Sequence, residues 1–235
     1  MQQEVIEQLL NINRKFYREF SRSFAETRNR PQPGFDQLLS HLPREPFDML
    51  DVGCGEGRLG RFFSEQSLLA SYHGVDFSED LITIAQTHLP GSYFVRDLST
   101  EACLSDLGQY DVIACLATLQ HIPDHERRSR LLIELATHME DGGCLFLSTW
   151  QFLSSTRQRR KIVDWSVVGI SSDALEDNDY LLTWNRDGSG LRYACFIDSS
   201  EIKNMVHDAG LSIIHEFRSD GKEGDLNLYT VLKNG

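Results

Sequence analysis

Apolar and polar positions along this chain switch repeatedly between two periods. Residues 48–53 form a short apolar run that breaks at Gly53. A stretch follows with Leu59, Phe62, Phe63 and Leu68 spaced for one helical face. Residues 72–77 read as a second strand, and Ser78 then caps a helix with Leu81, Ile82 and Ala85 on its buried side. Residues 92–98 read as a third strand. Residues 110–118 are almost continuously apolar, as in a parallel strand covered on both faces. Residues 124–139 predict an amphipathic helix stopped by Gly142-Gly143, with a fifth strand over 144–150. Strands alternating with helices in this way predict an α/β fold with a mostly parallel sheet and helices on both faces.

The tail breaks the alternation. A helix over about 199–209 is followed by strands at 212–220 and 226–232, joined by a glycine-rich turn, which predicts an antiparallel C-terminal hairpin and a seven-stranded sheet. Two segments lie outside the pattern. Residues 1–34 are mostly helical and end at PQPG, and residues 151–198 are too long for an ordinary helix–strand connection. Both are read as parts of one domain, 1–235: an N-terminal helical cap and an insertion. The insertion holds a basic helix and a hairpin, and together the two segments form a lid over the carboxyl ends of the strands, where open α/β sheets bind ligands.

Composition narrows the function. The chain has 235 residues with 23 basic and 35 acidic side chains, a net charge of -12, which excludes a uniformly basic nucleic-acid coat. Residues 1–34 nevertheless carry +2 and residues 151–165 carry +3. No apolar run reaches the length of a membrane span, and the first ten residues lack a secretory pattern, so a cytoplasmic protein without membrane contact is expected. The five cysteines are widely spaced without a C-x-x-C, which argues against a disulfide framework and against a metal site.

The candidate chemistry begins at the first strand's end. Asp51-Val52-Gly53-Cys54-Gly55-Glu56-Gly57 opens a helix, and glycines there let the backbone turn sharply and approach a ligand. The spacing is G-x-G-x-G, with Arg58 where a dinucleotide fingerprint needs its third glycine, and no phosphate-loop motif is present. Asp76 ends the second strand, where a carboxylate can accept both hydroxyls of a ribose. Asp97 ends the third strand and could receive an adenine amino group. A ligand with ribose and adenine but no phosphate is indicated, and S-adenosylmethionine has that make-up.

LDVGCGEGRL, GVDFS, RDL and LATLQHIPD…GG resemble, in order, the successive motifs of class I S-adenosylmethionine-dependent methyltransferases. The resemblance implies a Rossmann-like sheet and a set of cofactor contacts. Gly53, Cys54, Gly55 and Gly57 would pass beneath the methionine part, with Asp51 orienting the loop or the amino group. Asp76 would hold the ribose, with Phe77 beside the adenine. Asp97 and Leu98 would meet the adenine edge, and Leu116 and Ala117 would lie under the methionine tail.

Three features bear on the methyl acceptor. Phe16, Phe20 and Phe24 share a helical face, and Tyr17 and Arg28 near them could reach the cofactor carboxylate or a substrate anion. His121 follows the fourth strand, where it could be a general base or orient the loop. Arg157, Arg159, Arg160 and Lys161 follow Trp150, and on a helix 157, 160 and 161 would share a face suited to phosphates.

The chain also resembles the tRNA wobble-uridine carboxyl methyltransferase group, through F20-x-x-x-F24-x-x-T27-R28, the insertion after W150-Q151, D179-Y180-L181-L182-T183-W184 and L191-R192-Y193. It departs from that group at Gln120, where the first of paired histidines is usual. This implies tRNA or a small molecule as the acceptor, with Trp150, Arg157, Arg160, Lys161 and Tyr193 on the substrate side. Arg28 or Arg192 could hold an acceptor carboxylate by two parallel hydrogen bonds. A small O or N acceptor, or a member of the fold that only binds the cofactor, are the alternatives.

Overall fold

The computed structural model describes residues 1–43 and 45–235. A 24-residue helix, α1 (Gln3–Glu26), opens the chain, and a short helix, α2 (Pro33–Leu38), starts at the PQPG proline rather than ending there. The alternating part then runs β1 (Phe47–Val52), α3 (Arg58–Glu65), β2 (Leu69–Asp76), α4 (Glu79–His88), β3 (Ser92–Val95), β4 (Tyr110–Leu116), α5 (His125–Thr137) and β5 (Met139–Trp150). The insertion holds α6 (Thr156–Arg159), β6 (Ile162–Val163), β7 (Asp179–Trp184) and β8 (Gly190–Cys195). The chain closes with α7 (Ser199–Asp208), β9 (Leu211–Ser219) and β10 (Asn227–Asn234).

The main sheet has seven strands in the order β3-β2-β1-β4-β5-β10-β9. All neighbours are parallel except β10, which runs antiparallel to both β5 and β9. From β1 the chain winds outward through β2 to β3, then crosses back to β4. The strand order therefore reverses between β1 and β4, the switch point where ligands bind in such sheets. β4 explains its own apolar run. Val112 and Ala114 pack with Phe62 and Phe63 of α3, while Ile113 and Cys115 pack with Leu131 and Leu135 of α5. Local signals fix the helix starts: Ser78 Oγ accepts from the Leu81 amide, and the Asp124 and Asp198 carboxylates cap α5 and α7.

Three boundaries differ from the sequence reading. β3 stops at Val95; the Arg96 amide makes one further bond to the Asp76 carbonyl of β2, and its side chain pairs with Asp106 and the Cys103 carbonyl. α5 ends at Thr137, and Gly142-Gly143 lie within β5 instead of stopping the helix. Pairing jumps from Tyr110 opposite Met139 to Val112 opposite Cys144, so residues 140–143 bulge out, with Gly142 at φ 79°. The basic stretch of the insertion is not a helix with a phosphate-facing side. α6 is four residues long and ends before Arg160 and Lys161. The hairpin of the insertion is joined by β6, giving a second, three-stranded antiparallel sheet β6-β7-β8. No helix among the described residues is long and apolar enough to cross a membrane.

Candidate active site

A cleft lies at the carboxyl ends of β1, β2 and β4, and α1 and β8 also contribute side chains to it. Its floor is the glycine loop. Gly53 and Cys54 donate their amides to the Val75 carbonyl, which clips the loop to β2. Gly53 has φ +76°, and a Cβ there would lie 2.0 Å from Thr118 Oγ1, so only glycine lets the loop pass the β4 turn. Gly55 has φ +54° and a Cβ there would meet nothing within 4 Å. That open space is a cradle that a side chain would fill. Gly57 caps α3 in the left-handed conformation and does not itself line the cleft.

The acidic side of the cleft comes from strand ends. Asp76 Oδ2 accepts from the Gly55 amide at 2.9 Å and Oδ1 from the Ser78 amide at 2.8 Å. A carboxylate has about four acceptor sites, so Asp76 retains capacity for two ribose hydroxyls. Burial pushes its pKa up to about 6, against those two amide bonds. Asp51 accepts from the Tyr72 hydroxyl at 2.8 Å, and burial raises it to about 7, with Asp76 and Glu56 adding repulsion. Both carboxyls would be eased by a bound cation or hydroxyl donor. Asp97 behaves differently. Burial would raise it, but the Ser99 hydroxyl and amide and the Arg14 guanidinium, 2.7 Å from Oδ2, hold it below the usual range. Phe77, Leu98, Leu116 and Ala117 supply apolar wall.

The other side is cationic and aromatic. Arg28 stacks 3.3 Å over the Phe24 ring and, among the described residues, bonds the Phe24 carbonyl and Thr27 hydroxyl. Burial, with Arg58 nearby, lowers its pKa to about 9, which leaves it cationic at neutral pH. Arg192 is 6% exposed and lies 4.4 Å from the Trp150 ring centroid and 5.1 Å from that of Phe16. Neither arginine has a carboxylate within salt-bridge distance among the described residues. A buried cation such as Arg192 normally has such a partner, so it offers unspent positive charge to a ligand, with the half-buried Arg28 beside it.

His121 stands between the rings of Tyr17 and Trp150. Its Nδ1 is 3.0 Å from the Tyr193 carbonyl. A carbonyl only accepts, so Nδ1 carries the proton and Nε2 keeps its lone pair. Burial, then the Arg192 charge, lowers the histidine to about 3. It is therefore neutral throughout the physiological range and a weak proton acceptor. It can receive a hydrogen bond but has little driving force to take a proton.

The structure thus brings Tyr17, Arg28, Asp51, Gly53, Cys54, Gly55, Asp76, Phe77, Asp97, Leu98, Leu116, Ala117, His121, Trp150 and Arg192 to one cleft. Arg157, Arg160 and Lys161 do not line it, and neither does Tyr193, whose hydroxyl turns away to Asp179 at 2.7 Å. Lys161 is nevertheless lowered by burial and by the Arg192 charge. Among the residues the sequence reading missed, Asn13 and Arg14 come from α1, Gln32 precedes α2, and Asn227 begins β10. Gln120 also lines the cleft. Its side chain is fully buried, and neither Oε1 nor Nε2 has a partner. Such an amide costs stability unless a ligand completes it.

A family model described as a methyltransferase domain matches residues 14–216. The chain is 32% identical over 170 residues to a ubiquinone biosynthesis O-methyltransferase of Nitrosospira multiformis, an alignment covering 71% of this chain and 63% of that protein. It thus spans under two thirds of that relative. Among solved structures, an S-adenosylmethionine-dependent methyltransferase from Clostridium acetobutylicum superposes with TM-score 0.66 at 15% identity, covering 94% of this chain and 98% of the other. A magnesium protoporphyrin IX methyltransferase from Synechocystis with bound S-adenosylmethionine gives TM-score 0.62 at 18% identity, covering 96% and 97%. With the family match spanning most of its length, this chain belongs to the methyltransferase domain family and has the fold of the S-adenosylmethionine-dependent enzymes.

Proposed function

We propose that the protein is an S-adenosylmethionine-dependent O-methyltransferase whose acceptor is a small molecule with an ionised oxygen, a carboxylate or an acidic phenol. The observation that carries this reading is Arg192: a buried cation with no carboxylate partner among the described residues, held between Trp150 and Phe16 beside a neutral His121. The residues fit the cofactor. Asp76 has two acceptor sites left for ribose hydroxyls, Gly55 leaves space for the methionine part, and the raised pKa of Asp51 suits an ammonium neighbour. Arg28 suits the cofactor carboxylate, with Tyr17 alongside.

Bound S-adenosylmethionine supplies a methyl group already activated on a sulfonium. Transfer would form the O–CH₃ bond and break S–CH₃, with that electron pair left on sulfur. An ionised acceptor oxygen needs no base, so the protein's task is alignment and exclusion of water. Arg192 would hold the oxygen by charge-assisted hydrogen bonds. His121 would receive a hydrogen bond from a neighbouring hydroxyl through its bare Nε2. The low basicity of His121 argues against acceptors that must lose a strongly held proton in the site.

The tRNA reading rests on the short motifs of the resemblance and on the basic cluster of the insertion. Arg157 and Arg160 lie outside the cleft lining, and the O-methyltransferase relative favours a small acceptor. The test is methyl transfer from methyl-labelled cofactor to a panel of carboxylic acids, phenols and bulk tRNA at two salt concentrations. Label in a small acid or phenol, with little salt dependence, supports the proposal. Label found only in tRNA, falling steeply with salt, or no label in any arm, overturns it. With an ionised acceptor, His121→Ala should keep turnover within about tenfold, below the 10²–10⁴ expected of a general base.

A further inference from the structure

Three elements far apart in sequence meet at one buried amide. Asn13 of α1 is 2% exposed, on the face that otherwise buries Leu9, Phe16 and Tyr17. Its Oδ1 accepts from the Tyr193 amide at 2.9 Å, and its Nδ2 donates to the His121 carbonyl at 3.3 Å. The His121 ring closes the triangle by donating Nδ1–H to the Tyr193 carbonyl at 3.0 Å. β8 pairs with β7 alone, so it is an edge strand of the small sheet. At Tyr193 both groups of its free edge are taken by side chains from outside that sheet. Edge groups left bare and buried would be costly, so the triangle fixes where β8 docks. Arg192 is the preceding residue of that strand.

We propose that Asn13 is a positioning residue for the acceptor half of the cleft, holding His121 in the Nδ1–H tautomer and seating Arg192 by docking β8 against α1. This inference rests on the acceptor-side reading of His121 and Arg192 above. Asn13 has no contact with the reacting atoms in this role. It acts through the peptide of Tyr193 and the carbonyl of His121. Replacing it leaves the Tyr193 amide and the His121 carbonyl without partners, so the ring loses the fixed carbonyl that selects its tautomer.

The test uses the full chain with ¹⁵N-labelled histidine, comparing wild type with Asn13→Leu and Asn13→Ala. Leucine suits the apolar face of α1 and keeps a folded comparison if alanine loosens the helix. The ring nitrogen shifts of His121 are read from pH 6 to 8, and binding of S-adenosylhomocysteine is measured by calorimetry as the check on the rest of the cleft. The wild type should show Nδ1 protonated and Nε2 bare. The variants should show a mixed or inverted tautomer with cofactor-product affinity within about threefold, and turnover of the panel acceptor should fall about ten- to a hundredfold, as for a small misplacement. A wild-type tautomer in the variants overturns the proposal, including when only their melting temperature falls, since Asn13 would then be packing alone. A wild-type enzyme with Nε2 protonated also overturns it. The tautomer readout needs no acceptor, so failure of the acceptor assignment leaves a distinct result.

Discussion

Replacing Arg192 by methionine should separate stability from activity. The side chain is nearly as long and apolar, so it can fill the space between Trp150 and Phe16. What is lost to stability is the attraction of the guanidinium to two rings, at 4.4 and 5.1 Å, each worth about 0.5–2 kcal/mol. What is recovered is the desolvation of a cation that is 6% exposed and has no carboxylate partner among the described residues, a penalty of several kcal/mol per ion. The second contribution equals or exceeds the first. The unliganded variant should therefore be unchanged or stabilised by about 1 kcal/mol, which for a chain of this size raises the melting temperature by about 2–4 °C. Activity should move the other way. Two charge-assisted hydrogen bonds to an acceptor oxygen, at about 1.5–3 kcal/mol each, correspond to a loss of about 10²–10⁴ in kcat/KM. The assays are thermal denaturation without ligands and methyl transfer to the acceptor of the panel. A variant that melts more than about 5 °C lower while turning over normally would refute the reasoning. Arg192 would then be a structural cation held by its rings.

Much of the sheet is legible in the sequence because each parallel strand feeds two cores, as Val112 and Ile113 do on opposite faces of β4. The acidic side of the cleft is legible for a related reason. Asp51, Asp76 and the glycine loop sit directly at strand ends, within a few residues of the backbone that places them. Gly142-Gly143 misleads because a glycine that ends a helix and one that opens a bulge have the same conformational freedom. The register jump between β4 and β5 reveals which one it is. The basic cluster misleads because charge density carries no direction. A four-residue α6 cannot present a helical face.

The remainder of the cleft depends on contacts between distant elements. Arg14 reaches Asp97 across 83 residues of sequence, and Asn13 meets Tyr193 across 180. Periodicity can put both on α1, but it cannot say what α1 lies against. One signal was present: an asparagine on an otherwise apolar helical face asks for a buried partner. The orphaned Gln120 amide had no comparable signal, because its burial is visible only once the turn after β4 is folded. Net charge misled least when divided. An excess of acids coexists with a cleft that has one cationic side, since Arg28 and Arg192 are supplied by the segments outside the alternating pattern.

Asp76→Asn should weaken S-adenosylhomocysteine binding by about ten- to a hundredfold in calorimetry, as expected for charge-assisted bonds to hydroxyls; unchanged affinity would remove Asp76 from the ribose site. The pH profile should lack a histidine limb. His121 is lowered to about 3, so raising pH through 6.5 changes no charge on it; with the cofactor saturating, so that Asp51 and Asp76 are held in their liganded state, kcat/KM for a carboxylate acceptor should show no limb from His121 between pH 6 and 8. An acid-side fall centred near the ordinary histidine value would restore a titrating base. The glycine loop offers the sharpest contrast, because two positions with the same backbone handedness face different surroundings. Alanine at Gly55, φ +54° with nothing within 4 Å of its Cβ, should cost about 1–2 kcal/mol in backbone strain and leave the fold intact. Its methyl group would stand in the cradle, so cofactor-product affinity should fall at least about tenfold. Alanine at Gly53 meets Thr118 Oγ1 at 2.0 Å in addition to the strain of φ +76°. That clash forces the β4 turn away from the loop, and the melting temperature should fall well below that of Gly55→Ala. If Gly55→Ala binds S-adenosylhomocysteine as the wild type does, the open space above Gly55 is solvent and the cofactor lies elsewhere. If Gly53→Ala is as stable as Gly55→Ala, the loop and the β4 turn are not locked together, and the switch point is softer than its packing indicates.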